Sequence, residues 1–160
     1  MRDGAENEPM LIVRPARPEE AAALTDVCLR SKAVWGYDAA FLDACRAELT
    51  LTPRMIETSD VMVADRDGAV AGVGQIEVSG EVGELTRLFV EPSSLGAGVG
   101  RVLFEWARTA ATAAGARLLV IESDPGAADF YRRMGASDAG DVASGSIPGR
   151  KIPRLVLALA

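Results

Sequence analysis

The sequence predicts a mixed α/β domain: a largely antiparallel sheet of about seven strands carrying four helices. Three observations predict it. The elements read in the order βααβββαβαββ, with strands in a run first and then alternating with helices. A tight-turn signal, Asp65-Arg66-Asp67-Gly68, joins two apolar runs and makes them antiparallel neighbours. Further on, a strand, a long amphipathic helix and an unbroken apolar run form a βαβ crossover, which adds a parallel pair.

Each element has its own signal. Residues 10–14 (MLIVR) read as a short strand. Pro18 opens a helix with Glu19 and Glu20 in its first turn, where the dipole favours acids, and Leu24, Val27 and Cys28 make its apolar stripe. After the loop Trp35-Gly36-Tyr37, Asp38 caps a second helix, with Phe41, Cys45 and Leu49 at i, i+4 and i+8. Pro53 ends this region. Val61–Ala64 and Ala69–Val78 form the hairpin, and Ser79-Gly80 turns into a third strand, Glu84–Val90. A long helix runs from about Gly98 to Ala114 and stops at Gly115. Leu118–Ile121 is a buried strand, and Asp124-Pro125 starts a fourth helix ending at Gly135. Two last strands, about 137–142 and 154–159, bracket the loop Ser144–Pro153.

The 160 residues fit one domain, residues 10–160, behind a disordered polar tail, residues 1–9 (MRDGAENEP). A formal net charge of -6 argues against nucleic acid as a partner, because phosphate backbones draw their affinity from clustered Lys and Arg. The absence of His excludes imidazole catalysis and His-ligated metals, and no metal cofactor is expected. Cys28 and Cys45 fall on apolar helical faces and read as small buried hydrophobes. No signal peptide or membrane span is legible, so the expected compartment is the cytoplasm.

The informative segment is LFVEPSSLGAGVGRVLFEWA, residues 88–107. A strand leads through a loop into Gly96, Gly98 and Gly100 and then into a helix with Val99, Leu103, Trp106 and Ala110 on one face. Glycines let a ligand approach the backbone, and the first N–H groups of a helix lack partners and favour an anion. Arg101 in the first turn suits a bound phosphate better than a bare helix start. Three readings compete. One is a purely structural turn. Another is a dinucleotide site, with Gly96-x-Gly98 on a pyrophosphate and Glu122 on a ribose, although that pattern wants glycine directly after the strand.

The third reading is a resemblance. The segment resembles the acyl-CoA signature of the GNAT N-acetyltransferase superfamily, Arg/Gln-x-x-Gly-x-Gly/Ala after an apolar-x-Val-x-Pro strand end. Val90, Pro92, Gly98 and Gly100 match, and Leu95 stands where the family usually has Arg or Gln. Downstream, ESDPGAADFYRRMGA, residues 122–136, resembles the family's Asn-x-x-Ala-x-x-Phe-Tyr-x-x-x-Gly stretch. There Ala127, Phe130, Tyr131 and Gly135 match, with Asp124 in the Asn position. The resemblance covers nearly the whole chain. It implies a GNAT-like acyl-CoA-binding fold and acetyl-CoA as co-substrate. The implied cofactor contacts are Leu88, Phe89, Val90, Leu95, Gly96, Ala97, Gly98, Val99, Gly100, Arg101, Asp124, Ala127 and Phe130.

The resemblance further implies direct transfer from the thioester to a primary amine, on a small molecule or a peptide, without a covalent enzyme intermediate. Tyr131 matches the general acid beside the sulfur, and Glu84 stands where several members carry a general base, with Glu77 in reserve. Strand alternation places Glu84 on the same face as Thr86, Leu88 and Val90. The Val90 N–H would polarise the thioester carbonyl. Trp35 and Tyr37 in the loop between the first helices, with Ser146 and Arg150 in the last hairpin, would wall the acceptor pocket. Many members pair as dimers through terminal strands. Some chains of this fold bind acyl-CoA without catalysis, which leaves a sensor module as the alternative.

Overall fold

The computed structural model describes residues 10–159; the expected tail, residues 1–9, lies outside the described residues. Seven strands form one sheet: β1 (Leu11–Pro15), β2 (Asp60–Arg66), β3 (Ala69–Ser79), β4 (Val82–Val90), β5 (Leu118–Glu122), β6 (Ser137–Ala143) and β7 (Lys151–Ala158). Their spatial order is β1-β2-β3-β4-β5-β7-β6. Every neighbouring pair is antiparallel except β4 and β5, the two ends of the crossover.

Among the described residues the helices are five, not the four expected: α1 (Ala21–Ala33), α2 (Ala39–Leu49), α3 (Pro53–Thr58), α4 (Val99–Ala113) and α5 (Ala128–Arg133). The extra one is α3. Pro53 breaks the preceding chain and at the same time starts a new turn, because Pro is tolerated at the first helical position. Thr52 caps it, its hydroxyl accepting from Met55 N–H at 3.1 Å. The last strand also begins earlier than expected, at Lys151, and holds Pro153 inside it. The Pro153 carbonyl still accepts from Ser123 N–H, at 2.9 Å, just past the end of β5.

The sheet is covered on both faces. Leu24, Val27 and Cys28 of α1, and Cys45 and Leu49 of α2, pack on Val63 and Val73. On the other face Phe104 and Ala107 of α4 and Tyr131 of α5 pack on Leu85, Leu119, Ile121 and Leu155. Burial of apolar side chains of this kind supplies about 1.5–3 kcal/mol each, so each helix is held mainly by its inward stripe.

Two irregularities position the site. β4 and β5 pair only from Val82–Glu84 to Leu118–Val120, and beyond Glu84 no pairing joins them. On its other side β4 carries a bulge: Gln75 faces Arg87 and Ile76 faces Leu85, so Thr86 is the extra residue. The bulge corrects the expected alternation. An added Cβ at Gly83 would meet Ala111 of α4, and Leu85 belongs to the same core, so Glu84 between them faces the α1–α2 side. Leu88 and Val90 nevertheless pack on the α4 side, with Val99 and Leu103. Glu84 therefore does not share a face with Leu88 and Val90. One inserted residue reverses the parity of everything beyond it.

Candidate active site

Where β4 and β5 part, a cleft of about 880 Å³ opens. It runs from the start of α4, past the exposed edge of β4, to the α1–α2 side of the sheet. The cofactor residues expected from the sequence line it in large part: Leu88, Phe89, Val90, Leu95, Gly96, Gly98, Val99, Gly100, Arg101, Asp124, Ala127 and Phe130.

The anion-binding end comes from the turn before α4. Gly96 and Gly98 both take φ +82, with nothing within 4 Å of an added Cβ. Left-handed backbone of this kind favours glycine, and here it turns successive N–H groups outward. The N–H groups of Gly96, Gly98, Val99, Gly100 and Arg101 have no acceptor among the described residues; the first intrahelical bond is Val102 N–H to Gly98 O, 3.1 Å. Leu95 lines the cleft and Ala97 does not, and the backbone of both differs from expectation. Their N–H groups close the turn onto Pro92 O and Ser94 O, both at 3.3 Å, and so are engaged within the turn. Gly100 also differs from expectation. An added Cβ would lie 3.3 Å from the Phe130 ring, so this glycine makes room for an aromatic as much as for a phosphate.

Tyr131 lines the cleft and is 6% exposed. Burial pushes its phenol well above the usual tyrosine range, so it holds its proton at neutral pH. Its hydroxyl makes no hydrogen bond among the described residues. Phe130 meets it edge-on at 5.1 Å and Phe104 stands 6.0 Å away, which fixes the ring.

Glu84 lines the cleft at the point where the strands separate. Glu77 is its direct cross-strand neighbour on β3. Burial, then Glu122 and Glu77, raise the Glu84 pKa above the ordinary carboxylate value. No salt bridge to Glu84 offsets them among the described residues.

The acceptor walls are only partly as expected. Trp35 and Ser146 line the cleft; Tyr37 and Arg150 do not. Trp35 lies on Gly126, where an added Cβ would approach the indole to 2.8 Å. Ser146 Oγ donates to Glu48 Oε1 at 2.5 Å, tying the last hairpin to α2. Tyr37 and Arg150 instead form a buttress behind the wall. Arg150 Nη2 donates to Tyr37 Oη at 2.7 Å, and Tyr37 Oη donates to Asp124 Oδ2 at 2.9 Å. Tyr37 also stacks on Phe41 with centroids 3.9 Å apart. Asp124 is likewise engaged by the protein: Lys32 Nζ lies 2.7 Å from Oδ2, and Gly126 N–H donates to Oδ1 at 2.9 Å. Burial pushes the Asp124 carboxyl up, but these three donors outweigh it and leave the pKa lowered.

Sequence reasoning missed Ser31, Lys32, Glu48 and Arg87, all of which line the cleft. Arg87, 7% exposed, donates to Gln75 Oε1 and to the carbonyls of Glu48 and Thr50 at the end of α2. Ser31 Oγ accepts from Val90 N–H at 3.3 Å, the same donor expected to meet the thioester. In the sequence these are polar residues on helices and a strand, with no pattern to separate them from solvated ones.

The site is thus a split sheet beside a helix start rich in N–H groups that have no partner among the described residues. Residues 57–135 match the model of the acetyltransferase (GNAT) domain. A structure from Rhodopseudomonas palustris described as a GCN5-related N-acetyltransferase shares the fold at TM-score 0.76 and 21% identity, covering 92% of this chain and 95% of that one. PaiA N-acetyltransferase from Thermoplasma acidophilum, in complex with coenzyme A, aligns at TM-score 0.74 and 16% identity, over 93% and 99% of the two chains. An IAA acetyltransferase of Azospirillum brasilense is 38% identical over 84 residues, which is 49% of this chain and 55% of that protein. The matched part thus spans about half the length of that curated relative. This chain thus shares the fold of the Rhodopseudomonas palustris acetyltransferase, and its residues 57–135 resemble the GNAT domain.

Proposed function

We propose that this chain is an N-acyltransferase that binds acetyl-CoA in the cleft and passes the acetyl group to a primary amine by direct attack in a ternary complex. One observation carries the reading. Five N–H donors at the start of α4 lead straight into the gap where β4 and β5 part. The residues fit a pyrophosphate: donors without partners, Arg101 beside them, and open space over Gly96 and Gly98. The relative's name, an acetyltransferase, supports acetyl as the group moved.

Acyl-CoA, when bound, supplies an activated thioester. The chain's own groups do the rest. An alkylamine with a pKa near ~10 is protonated at neutral pH and must lose a proton before it attacks. Glu84 accepts that proton, directly or through water, and its raised pKa brings it closer to neutral. As the C–N bond forms and the C–S bond breaks, Tyr131 provides the proton for the departing sulfur. Amine acceptors on small molecules or peptides both fit a cleft walled by Trp35, Glu48 and Ser146.

The test uses acetyl-CoA and a panel of primary amines. Acetyl-CoA at 100 times its dissociation constant should stabilise the fold by about 2.7 kcal/mol, read as a higher melting temperature. At least one amine should then release free thiol. A melting shift with no thiol from any amine would instead favour the non-catalytic sensor, and a shift with NAD alone would favour the dinucleotide site.

A further inference from the structure

Ser31 lines the cleft, and the reading above gives it no role. N–H directions alternate along a strand. Glu91 N–H donates to Ala71 O, toward β3, at 2.8 Å, so Val90 N–H points to the opposite edge, where β4 has parted from β5. Ser31 Oγ meets it there at 3.3 Å. A serine hydroxyl carries a donor as well as lone pairs. Ser31 uses a lone pair on Val90, and its own proton has no acceptor among the described residues.

The residues on both sides of Ser31 are paired to other segments of the chain. Arg30 makes two bonds to Glu91, the residue after Val90, at 3.0 and 2.8 Å. Lys32 pairs with Asp124 across the gap at 2.7 Å. The last turn of α1 is therefore tied to the residue after β4 and to the segment after β5, with the Ser31 hydroxyl at the edge of β4. An oxygen bonded to Val90 N–H would displace Ser31 Oγ from that donor and leave the O–H beside it.

We propose that Ser31 is a catalytic residue: its hydroxyl and the Val90 N–H together form a two-donor site for the carbonyl oxygen of the acyl thioester. This rests on the acyl-CoA reading. In the free protein the hydroxyl accepts from Val90; with the thioester in place it turns and donates. Two donors aimed at one oxygen stabilise the negative charge that develops there as the amine adds to the carbonyl carbon.

The experiment needs no acceptor amine. Wild-type protein, Ser31→Ala and Ser31→Thr are loaded with acetyl-CoA carrying 13C at the thioester carbonyl, and the infrared carbonyl band is compared with that of free acetyl-CoA. The wild-type band should lie below the free value. In Ser31→Ala it should move back toward it, and Ser31→Thr should restore it. Acetyl-CoA affinity should fall by no more than about tenfold in Ser31→Ala, the net worth of one hydrogen bond. Melting temperatures check the fold, and Ser31→Cys, a weak donor, replaces the alanine variant if that one melts early. An unmoved band at full occupancy overturns the role of Ser31 and leaves the acyl-CoA reading standing. Tighter binding with an unmoved band makes Ser31 a plug, and also overturns it. No binding to the wild-type protein sinks both readings.

Discussion

Glu84 shows how much a single side chain owes to its neighbours. Its type and position were legible in the sequence, but its face was not, because Thr86 had no mark as a bulge. The bulge sets Glu84 opposite Glu77, and burial, Glu122 and Glu77 all raise its pKa. A carboxylate must be ionised to accept a proton, so a raised pKa moves the acid limb of kcat/KM to higher pH than an ordinary Glu, about 4.3, would give. Glu77→Gln removes one repelling charge and should shift that limb to lower pH, while Glu84→Gln should flatten it. A limb that stays in place in Glu77→Gln would mean that another group sets it. Tyr131 belongs at once to the core and to the cleft wall, with 6% exposure.

At the scale of elements, the cleft depends on α4 lying close against β3 and β4. Gly72 permits that approach. An added Cβ there would sit 2.9 Å from the Phe89 carbonyl oxygen and 3.0 Å from both Leu103 and Val99. One of these contacts is backbone and the other two belong to buried side chains, so nothing nearby gives way cheaply. Gly72→Ala should destabilise the fold by about 1–3 kcal/mol, seen as a lower denaturant midpoint at unchanged slope. An unshifted midpoint would show that α4 rides freely on the sheet. The helix stripes and the hairpin were legible because their signals are local: period, cap and turn. The short helix α3 was not, because the same proline signals both a stop and a start.

Across the whole molecule, Asp124 joins parts of the chain that the sequence keeps far apart. It holds Lys32 of α1, Tyr37 of the α1–α2 loop and, through Tyr37, Arg150 before β7. Asp124→Asn leaves Lys32 without its carboxylate at a site where both side chains are largely covered. Exposed pairs contribute about 0–1 kcal/mol and breaking a buried pair costs about 3–5, so a loss of about 2 kcal/mol is expected in a denaturant melt. The pH dependence has a definite sign. The folded pKa of Asp124 is lowered, so its contribution is present above the unfolded value, about 3.9, and lost as pH falls through the folded pKa. The gap between wild type and Asp124→Asn should therefore close in acid. A gap that persists there would point to packing rather than charge.

By itself, the sequence determined the order of the strands, the parallel crossover and the glycine-rich helix start, since each is written in residues a few positions apart. The tertiary structure alone decided which N–H groups stay free, which face Glu84 takes, and that Tyr37 and Arg150 brace the cleft through Asp124 instead of lining it. Those outcomes hinge on contacts between segments dozens of residues apart, set by one bulged position and by which donors find acceptors, and no local pattern encodes them.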